Sequence, residues 1–355
     1  MNRRKFIETS GAAAGAAMLN GVAPAVNANP LTPEQKTGKT GKIKLGLYSI
    51  SYGGIWYKGP VLSFDELCRR AKECGFNGVE LDNKRPMGNP MDLDQRKREE
   101  MRNSLAKYGL EIPCVAANND FSSPIPEHRD CQLLMVRETA KLAKDLGAKI
   151  VRLFAAWPGV AIHEGIGTYD LSRGEFYTFQ RQYPFATRLD RYNLVKDCLK
   201  EAAKMGEEND IVMALQNHAP LIRTWKDTYD LVREVNSPWL KICLDLPIFD
   251  NLDREYVANA VRIVGNLQVH SHFGGEYYRD SSGIINPRLL DYYAGGKIPD
   301  YTHYIGLMNE IGYNGYFTFE LCHNVLNEDH TYAGIDYVHE QVNLAREFMG
   351  NIINK

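Results

Sequence analysis

The chain has 355 residues, of which 44% are hydrophobic, and a formal net charge of −2. This length fits one large domain or two small ones, and the hydrophobic content is enough for a sizeable core. The near-neutral charge excludes broad electrostatic attraction to nucleic acid or to anionic membranes, so we expect a small-molecule partner.

The first 28 residues have the pattern of an export signal. Arg3 and Arg4 precede Phe6, a run of small, weakly apolar residues follows from 11 to 18, and small-residue cleavage patterns end at 25 and 28. This order is typical of a twin-arginine signal peptide, and the alternative is a disordered basic N-terminus. The run is shorter than the ~20 apolar residues that a membrane span needs. We therefore predict a signal peptide over 1–28, a linker over 29–41, and a periplasmic or otherwise exported protein without membrane insertion.

The seven cysteines show no C-x-x-C pair, and most of them fall inside apolar patterns. An odd number at helical and strand positions argues against a disulfide framework. We expect nearly all of them to be small buried residues.

Eight short apolar runs follow one another along residues 42–355 and alternate with amphipathic helical patterns, several of which end in glycine. The runs are nearly continuous in apolar residues, which indicates strands buried on both faces and hence a parallel sheet. The pattern predicts an α/β protein, a single-domain (β/α)₈ TIM barrel. An open doubly wound sheet is the alternative, but no glycine-rich phosphate fingerprint follows the first run. The runs are 42–50, 78–81, 111–117, 149–157, 211–217, 240–246, 266–272 and 315–321.

Two connections are too long to be simple links between a strand and a helix. Residues 158–187 follow the fourth run and residues 273–299 follow the seventh, and both are rich in aromatic residues. Both leave the carboxyl ends of strands, where barrel enzymes keep their sites, so we expect lids or substrate walls. Contact between subunits of a homo-oligomer is the alternative for the aromatic segment.

Polar side chains stand at the carboxyl ends of five predicted strands. Any one of them has a simpler explanation as a capping or core hydrogen-bonding group. In a barrel, however, these ends converge on one mouth, where carboxylates repel each other unless a cation is present. Carboxylate, imidazole and amide groups together favour Mn²⁺, Mg²⁺ or Co²⁺, with Zn²⁺ as an alternative. The residues are Glu80, Gln216, Asn217, His218, Asp245, His270, His272, Glu320 and His323.

Four segments, MALQNH, CLDLP, VHSHFGGEYYR and YFTFEL, resemble in order and spacing the strand ends of the xylose isomerase-like barrel superfamily of sugar (phosphate) isomerases and epimerases. The resemblance covers essentially the whole chain after the signal. It implies that the divalent metal is held by four residues, that Arg279 contacts substrate, and that His270 supports the site. The implied metal ligands are Gln216, Asp245, His272 and Glu320.

The sequence departs from the epimerase pattern at one of these positions and at one further position. Epimerases of the family have a glutamate where this chain has Gln216, and a substrate-contacting histidine where it has Ile248. An amide oxygen can still bind a hard cation, but it cannot take a proton. Epimerisation by two symmetrical carboxylates is therefore not expected.

The chemistry of the resembling family is removal of a proton next to a carbonyl group, with a metal holding the oxygens of the enediolate. Since Gln216 is neutral, Glu320 is the leading candidate for the base. Glu80 and His218 are further catalytic candidates, and His270 is an additional acid or base candidate. Asn217 and Trp157 complete the predicted substrate-binding set with Arg279 and His270.

These expectations combine into one predicted function and two alternatives. We predict an exported, divalent-metal-dependent, isomerase- or epimerase-like enzyme that acts through an enediolate on a free sugar or keto-sugar. The first alternative is a lyase or hydratase acting on 3-keto-glycosides, which suits the loss of a glutamate at position 216. The second is a sugar-binding barrel without catalytic activity. Homo-oligomers are common in the resembling family.

Overall fold

The computed structural model describes residues 42–354, except the side chains at 170–172, 175, 176, 179 and 180. The predicted signal peptide (1–28) and linker (29–41) lie outside the described residues. Within residues 42–354, no helix has the length and apolar character of a membrane span. The strands are β1 (Lys44–Tyr48), β2 (Gly78–Asp82), β3 (Cys114–Ala116), β4 (Ile150–Leu153), β5 (Ala161–His163), β6 (Ile166–Thr168), β7 (Val212–Gln216), β8 (Leu240–Cys243), β9 (Gln268–Gly274), β10 (Tyr277–Arg279), β11 (Ile285–Pro287) and β12 (Tyr316–Glu320).

Eight of these strands close into a parallel barrel in the order β1, β12, β9, β8, β7, β4, β3, β2. Each predicted apolar run overlaps one of them, so the predicted (β/α)₈ barrel is confirmed. The helices are α1 (Phe64–Cys74), α2 (Gln95–Tyr108), α3 (Pro126–Leu146), α4 (Tyr169–Gln182), α5 (Arg188–Asn209), α6 (Trp225–Val235), α7 (Arg254–Val264), α8 (Tyr301–Glu310) and α9 (Ile335–Ile353).

Local sequence signals set the ends of several helices. The Ser63 side chain accepts a hydrogen bond from the Glu66 backbone N–H, and the Glu66 carboxylate accepts one from the Ser63 backbone, which forms a capping box at the start of α1. Gly75, Gly109 and Gly147 end α1, α2 and α3 in the left-handed region, as their positions in the sequence predict. These caps place each following strand at the barrel wall.

The barrel strands are buried on both faces, as a parallel sheet requires. All residues of β2 are buried, and so are those of β7 and β12 except one terminal residue in each. At the carboxyl end of β9, a Cβ atom on Gly274 would lie 2.8 Å from the carbonyl oxygen of Glu320. Glycine at this position therefore lets β9 approach β12 beside the polar strand ends.

The two long connections contain structure of their own. Residues 158–187 form the β5–β6 hairpin and α4, and residues 273–299 include the β10–β11 hairpin. Tyr169, the first residue of α4, stacks on Trp56 with 5.1 Å between ring centroids and contacts the ring of Trp157 edge-on. The first connection therefore packs on aromatic residues at the barrel mouth.

The seven cysteines are all free thiols. Cys68, Cys114, Cys198 and Cys243 are buried, whereas Cys131 is exposed. The expectation of small buried residues is thus met by these four, and the remaining two are half-buried.

Candidate active site

The polar strand ends form a buried network centred on His272. Its Nδ1 lies 2.9 Å from both carboxylate oxygens of Asp245, and its Nε2 lies 2.7 Å from Oε2 of Glu80. Burial by itself would lower the pKa of His272, but the two carboxylates outweigh it and raise the pKa to about 10. The two contacts fix the ring and hold a second proton on it.

His270 lies on the same face of β9 and shares the acceptor of His272. Its Nε2 is 2.7 Å from Oε2 of Glu80, and its buried Nδ1 has no hydrogen-bond partner among the described residues. Burial lowers the pKa of His270 in spite of the contact with Glu80. The pair therefore divides into a neutral His270 and a His272 that favours the protonated form.

Arg152 of β4 brings a buried positive charge into the same network. Its Nε donates to Oε1 of Glu80 at 3.0 Å, and one Nη donates to Oε1 of Gln216 at 2.8 Å. The other Nη has no partner among the described residues. The guanidinium also lies over the rings of Tyr48 and Phe154, at 4.8 Å and 5.1 Å from their centroids. Burial raises the pKa of Glu80, but His272 and Arg152 more than offset it, so this carboxyl stays ionised.

Gln216 is held in one orientation by its two neighbours. The amide oxygen accepts from Arg152, and the amide nitrogen donates in a close contact to Oδ2 of Asp245. Asp245 is further fixed by Asn217, whose amide oxygen accepts from the Asp245 backbone N–H at 2.8 Å. Contact with His272 keeps the pKa of Asp245 below its usual value against the opposing effect of burial.

Glu320, the last residue of β12, is half-buried and faces the cavity above this network. Burial raises its pKa, and repulsion from Asp245 and Glu80 adds to the rise, while His272 and Arg152 oppose it. The thiol of Cys322 lies 3.6 Å from Oε2 of Glu320. A carboxyl with a raised pKa at the floor of a cavity is suited to proton transfer.

A cavity of about 430 Å³ opens above Glu320 and Gln216 at the carboxyl ends of the strands. Its volume is within the usual range for small-molecule sites. Aromatic rings form much of its wall, and polar side chains project between them. The aromatic members are Tyr48, Trp56, Phe154, Trp157, Tyr169, Phe249 and Tyr292, and the polar ones include Asp82, Lys84, Asn118, Arg173, His218 and His323.

A second polar group lines this wall around Asp82 of β2. Its carboxylate accepts from the Tyr48 hydroxyl at 2.9 Å, from the Lys84 ammonium at 2.8 Å and from the Asn118 amide at 2.7 Å. These donors fix Asp82 beside the aromatic wall, where its oxygens and the Lys84 ammonium can meet substrate hydroxyls.

The network has the donor types and the charge deficit that a divalent cation requires. Within residues 42–354, two trios bring potential ligand atoms within 4.8 Å of one another: Glu80–His270–His272 and Cys243–Asp245–His272. Three carboxylates, those of Glu80, Asp245 and Glu320, face one guanidinium. The three carboxylates and the guanidinium leave two negative charges. A divalent cation would neutralise both while His272 is neutral. Without a cation, a proton on His272 and one on Glu320 would neutralise them.

The structure brings most predicted site residues together. Gln216 and His272 both contact Asp245, and Glu320 lines the cavity together with Gln216. His218 and Trp157 line the cavity, with 4.8 Å between their ring centroids. Burial and the nearby Arg152 lower the pKa of His218 to about 4, so it is neutral at neutral pH.

Four of the predicted catalytic and substrate-binding residues do not line the cavity, namely Arg279, Glu80, His270 and Asn217. Arg279 does not reach the cavity, because it is exposed on β10 and its guanidinium pairs with Glu347 of α9 at 2.8 Å. Glu80 is fully buried beneath the cavity and bound by Arg152 and the two histidines, so it supports the site and does not meet substrate. His270 and Asn217 likewise contact Glu80 and Asp245 and do not line the cavity.

Arg152 and Asp82 were missed by the sequence analysis. Arg152 is a charged residue inside the apolar run KIVRLF, which is a signal for a buried functional cation. Asp82 follows Glu80 by two residues and therefore points to the same face of the strand.

A closed barrel of eight parallel strands with acidic and imidazole groups at their carboxyl ends defines a TIM-barrel protein with its site in the usual place. The family model for the xylose isomerase-like TIM barrel matches residues 68–341. The chain belongs to this family, as the resemblance of the four segments implied.

Solved structures with the same fold include sugar epimerases. The chain is similar to the 3-keto-D-glucoside 4-epimerase YcjR from E. coli, with 18% identity, a TM-score of 0.60, and coverage of 88% of this chain and 100% of that one. It is similar to a D-psicose 3-epimerase with D-tagatose from Clostridium cellulolyticum H10, with 16% identity, a TM-score of 0.62, and coverage of 88% and 99%. It is also similar to the IOLI protein with a bound zinc atom, with 14% identity, a TM-score of 0.60, and coverage of 88% and 98%. A comparison with curated proteins found no match.

Proposed function

We propose that this protein is a divalent-metal-dependent enzyme of the sugar isomerase and epimerase type, acting on a free sugar or keto-sugar. The observation that carries the proposal is Glu320, a carboxyl that lines an aromatic-walled cavity and interacts electrostatically with the buried Asp245 and His272. A base placed in this way suits removal of a proton next to a carbonyl group.

The composition of the cavity wall favours a carbohydrate as the substrate. The rings of Trp56, Trp157 and Tyr169 form a connected aromatic surface, with centroid distances of 5.1 Å and 5.7 Å between neighbours. Such rings pack against the apolar C–H faces of a sugar, while Asp82 and Lys84 offer an acceptor and a donor for its hydroxyls. The cavity thus combines stacking and polar recognition.

Asp245, His272 and Glu320 would hold the cation, with the amide oxygen of Gln216 as the fourth ligand. When bound, a divalent cation acts as a Lewis acid that favours negative charge on the oxygens next to the acidic carbon. Asp245 is oriented for this role by Asn217.

Other roles in the reaction fall to side chains of the protein. Glu320 takes the proton from carbon, because it is the carboxylate of the proposed ligand set that lines the cavity, whereas Asp245 does not reach it. Arg152 keeps Glu80 ionised and holds the oxygen of Gln216. The rings of Phe154 and Trp157, each in edge-to-face contact with neutral His218, give the substrate space an apolar wall.

A lyase or hydratase acting on 3-keto-glycosides is the second candidate, and Gln216 is the observation that favours it. Its amide group is engaged by Arg152 and Asp245 and cannot take a proton, so position 216 does not supply the second base of an epimerase. One base and a separate acid suit an elimination better than inversion at a single carbon. A sugar-binding barrel without activity is the third reading.

Export through the twin-arginine route is part of the proposal and rests on residues 1–28. We expect the full chain to appear in the periplasmic fraction, and a variant with Arg3→Lys and Arg4→Lys to remain inside the cell. Equal export of both chains would contradict this assignment.

Solvent exchange tests the enzymatic proposal. The protein is incubated in D₂O with D-psicose, D-tagatose or a 3-keto-D-glucoside, with Mn²⁺ or with a chelator, and carbon-bound deuterium is measured by NMR. We expect Mn²⁺-dependent uptake with at least one substrate. Product analysis then separates an isomer from an unsaturated elimination product. Binding of a sugar without any deuterium uptake would favour the non-catalytic reading.

A further inference from the structure

A chain of three side chains from separate elements reaches the rim of the cavity. His323 follows β12, Glu276 lies in the turn between β9 and β10, and Tyr337 is on α9. Nε2 of His323 is 2.9 Å from Oε1 of Glu276, and the Tyr337 hydroxyl donates to Oε2 of the same carboxylate in a close contact. His323 and Glu276 are largely buried, with 18% and 12% of their side-chain surface exposed.

This arrangement determines which nitrogen of His323 is available. Because Nε2 faces the Glu276 carboxylate, it carries the proton, and Nδ1 is the nitrogen left for other partners. None of the described residues hydrogen-bonds Nδ1, and the ring lines the cavity beside Tyr292, with 5.8 Å between ring centroids. A carboxylate that orients a histidine in this way is the arrangement that activates it for proton transfer.

The charged and titratable groups around the histidine are few. Glu276 and Tyr337 contact the chain of hydrogen bonds directly, Tyr292 packs on the ring, and Arg288 acts electrostatically on Glu276. The Glu276 carboxyl stays ionised, because its contacts with His323 and Tyr337 lower its pKa against the effect of burial. Glu276 therefore remains an acceptor for Nε2–H over the neutral range.

We propose that His323 is the acid and base that moves protons at the substrate oxygens, with Glu276 and Tyr337 as positioning residues. This inference rests on the proposed function, and it supplies the proton-transfer group that Gln216 cannot provide. Glu320 and His323 both line the cavity, so Glu320 can exchange protons with the substrate carbon while His323 exchanges protons with the substrate oxygens.

With a keto-sugar as substrate, the reaction consists of four proton transfers, two at carbon and two at oxygen. Glu320 takes the proton from the carbon beside the carbonyl, the C–H electron pair forms a carbon–carbon double bond, and the carbonyl electron pair moves to its oxygen. That oxygen takes a proton from protonated His323. His323 then takes the proton of the neighbouring hydroxyl as the new carbonyl forms, and Glu320 returns its proton to the former carbonyl carbon. No external oxidant or reductant is needed.

The test compares the rate of deuterium exchange into the substrate with the rate of product formation in the metal-loaded protein. The probe is whichever of D-psicose, D-tagatose and the 3-keto-D-glucoside shows the fastest deuterium uptake in D₂O. Uptake into recovered substrate and formation of product are measured for wild type, His323→Asn, His323→Gln, Glu276→Gln and His323→Ala with added imidazole. His163→Asn is the matched control, because His163 is exposed on the β5–β6 hairpin.

We expect the histidine variants to lose product formation by about 100-fold, the scale of one acid–base catalyst, while substrate exchange falls much less. The ratio of exchange to product should therefore rise, imidazole should partly restore His323→Ala, and Glu276→Gln should give an intermediate loss. If deuterium uptake and product formation fell by the same factor, without rescue by imidazole, the role of His323 would be overturned but the proposed function would stand. Absence of exchange in wild type with every probe would overturn the proposed function and this inference with it.

Discussion

Replacing Gln216 with glutamate would put a second carboxylate against Asp245. The amide nitrogen of Gln216 now donates to Oδ2 of Asp245, and the amide oxygen accepts from Arg152 at 2.8 Å. In Gln216→Glu the contact with Arg152 can remain, but the hydrogen bond to Asp245 becomes a repulsion between two buried carboxylates. The variant should therefore depend on a cation more strongly than wild type does.

The size of this effect follows from the separation of the two groups. Two like charges about 4 Å apart repel by about 4 kcal/mol at an effective dielectric constant of 20. Uptake of one proton limits the cost, so we expect the metal-free variant to lose about 2 kcal/mol of the free energy of unfolding. For a domain of this size that lowers Tm by roughly 3 °C.

Thermal unfolding with EDTA and with Mn²⁺ measures both states. We expect a lower Tm than wild type in EDTA and a larger rise on addition of Mn²⁺, because the new carboxylate is a better ligand than the amide. Gln95→Glu on the exposed start of α2 is the matched control, and it should show neither change. If Gln216→Glu gave the same metal-dependent rise as wild type, the assignment of position 216 to the metal site would be refuted. A changed product distribution would further show that the amide defines the reaction.

Three other outcomes follow from the charge balance of the site. Cation binding at pH 7 should release the second proton of His272, which calorimetry in buffers of different ionisation enthalpy detects; no proton release would contradict the proposed role of His272 as a ligand. Asp245→Ala should lose bound metal in elemental analysis, whereas His163→Ala should retain it. In the metal-free protein the pKa of His272 is raised from 6.5 to about 10, so its stabilising contribution is full below pH 6.5 and is lost as pH rises towards 10; a Tm in EDTA that does not fall over this range would refute the contact.

The order and number of the barrel strands could be predicted because they depend on local patterns. Nearly continuous apolar runs mark strands buried on both faces, and glycines such as Gly75 and Gly109 end the helices between them. The long connection after β4 was predicted as a lid or wall without its helix, since the aromatic pattern of α4 does not distinguish core packing from a loop.

The site was predictable only in part, because side-chain pairing depends on positions far apart in the chain. Asp245 and His272 could be placed at strand ends, but the contact of His272 with Glu80 joins residues that are 192 positions apart in the chain. Arg279 was assigned by its spacing after His272, yet the β10–β11 hairpin carries it to the exposed surface beside Glu347. The spacing between His272 and Arg279 in the sequence does not indicate the direction in which this hairpin leaves the barrel.

The most direct test of the account is deuterium uptake by the Mn²⁺-loaded protein carrying Glu320→Gln, with Glu328→Gln as an exposed control. The two changes remove the same charge, but only Glu320 faces the cavity floor. We expect uptake from D₂O into the best ketose or 3-keto-glucoside to fall by at least about 100-fold in Glu320→Gln and to be unchanged in Glu328→Gln. Uptake at the wild-type rate in a Glu320→Gln protein that still binds its metal would contradict this expectation.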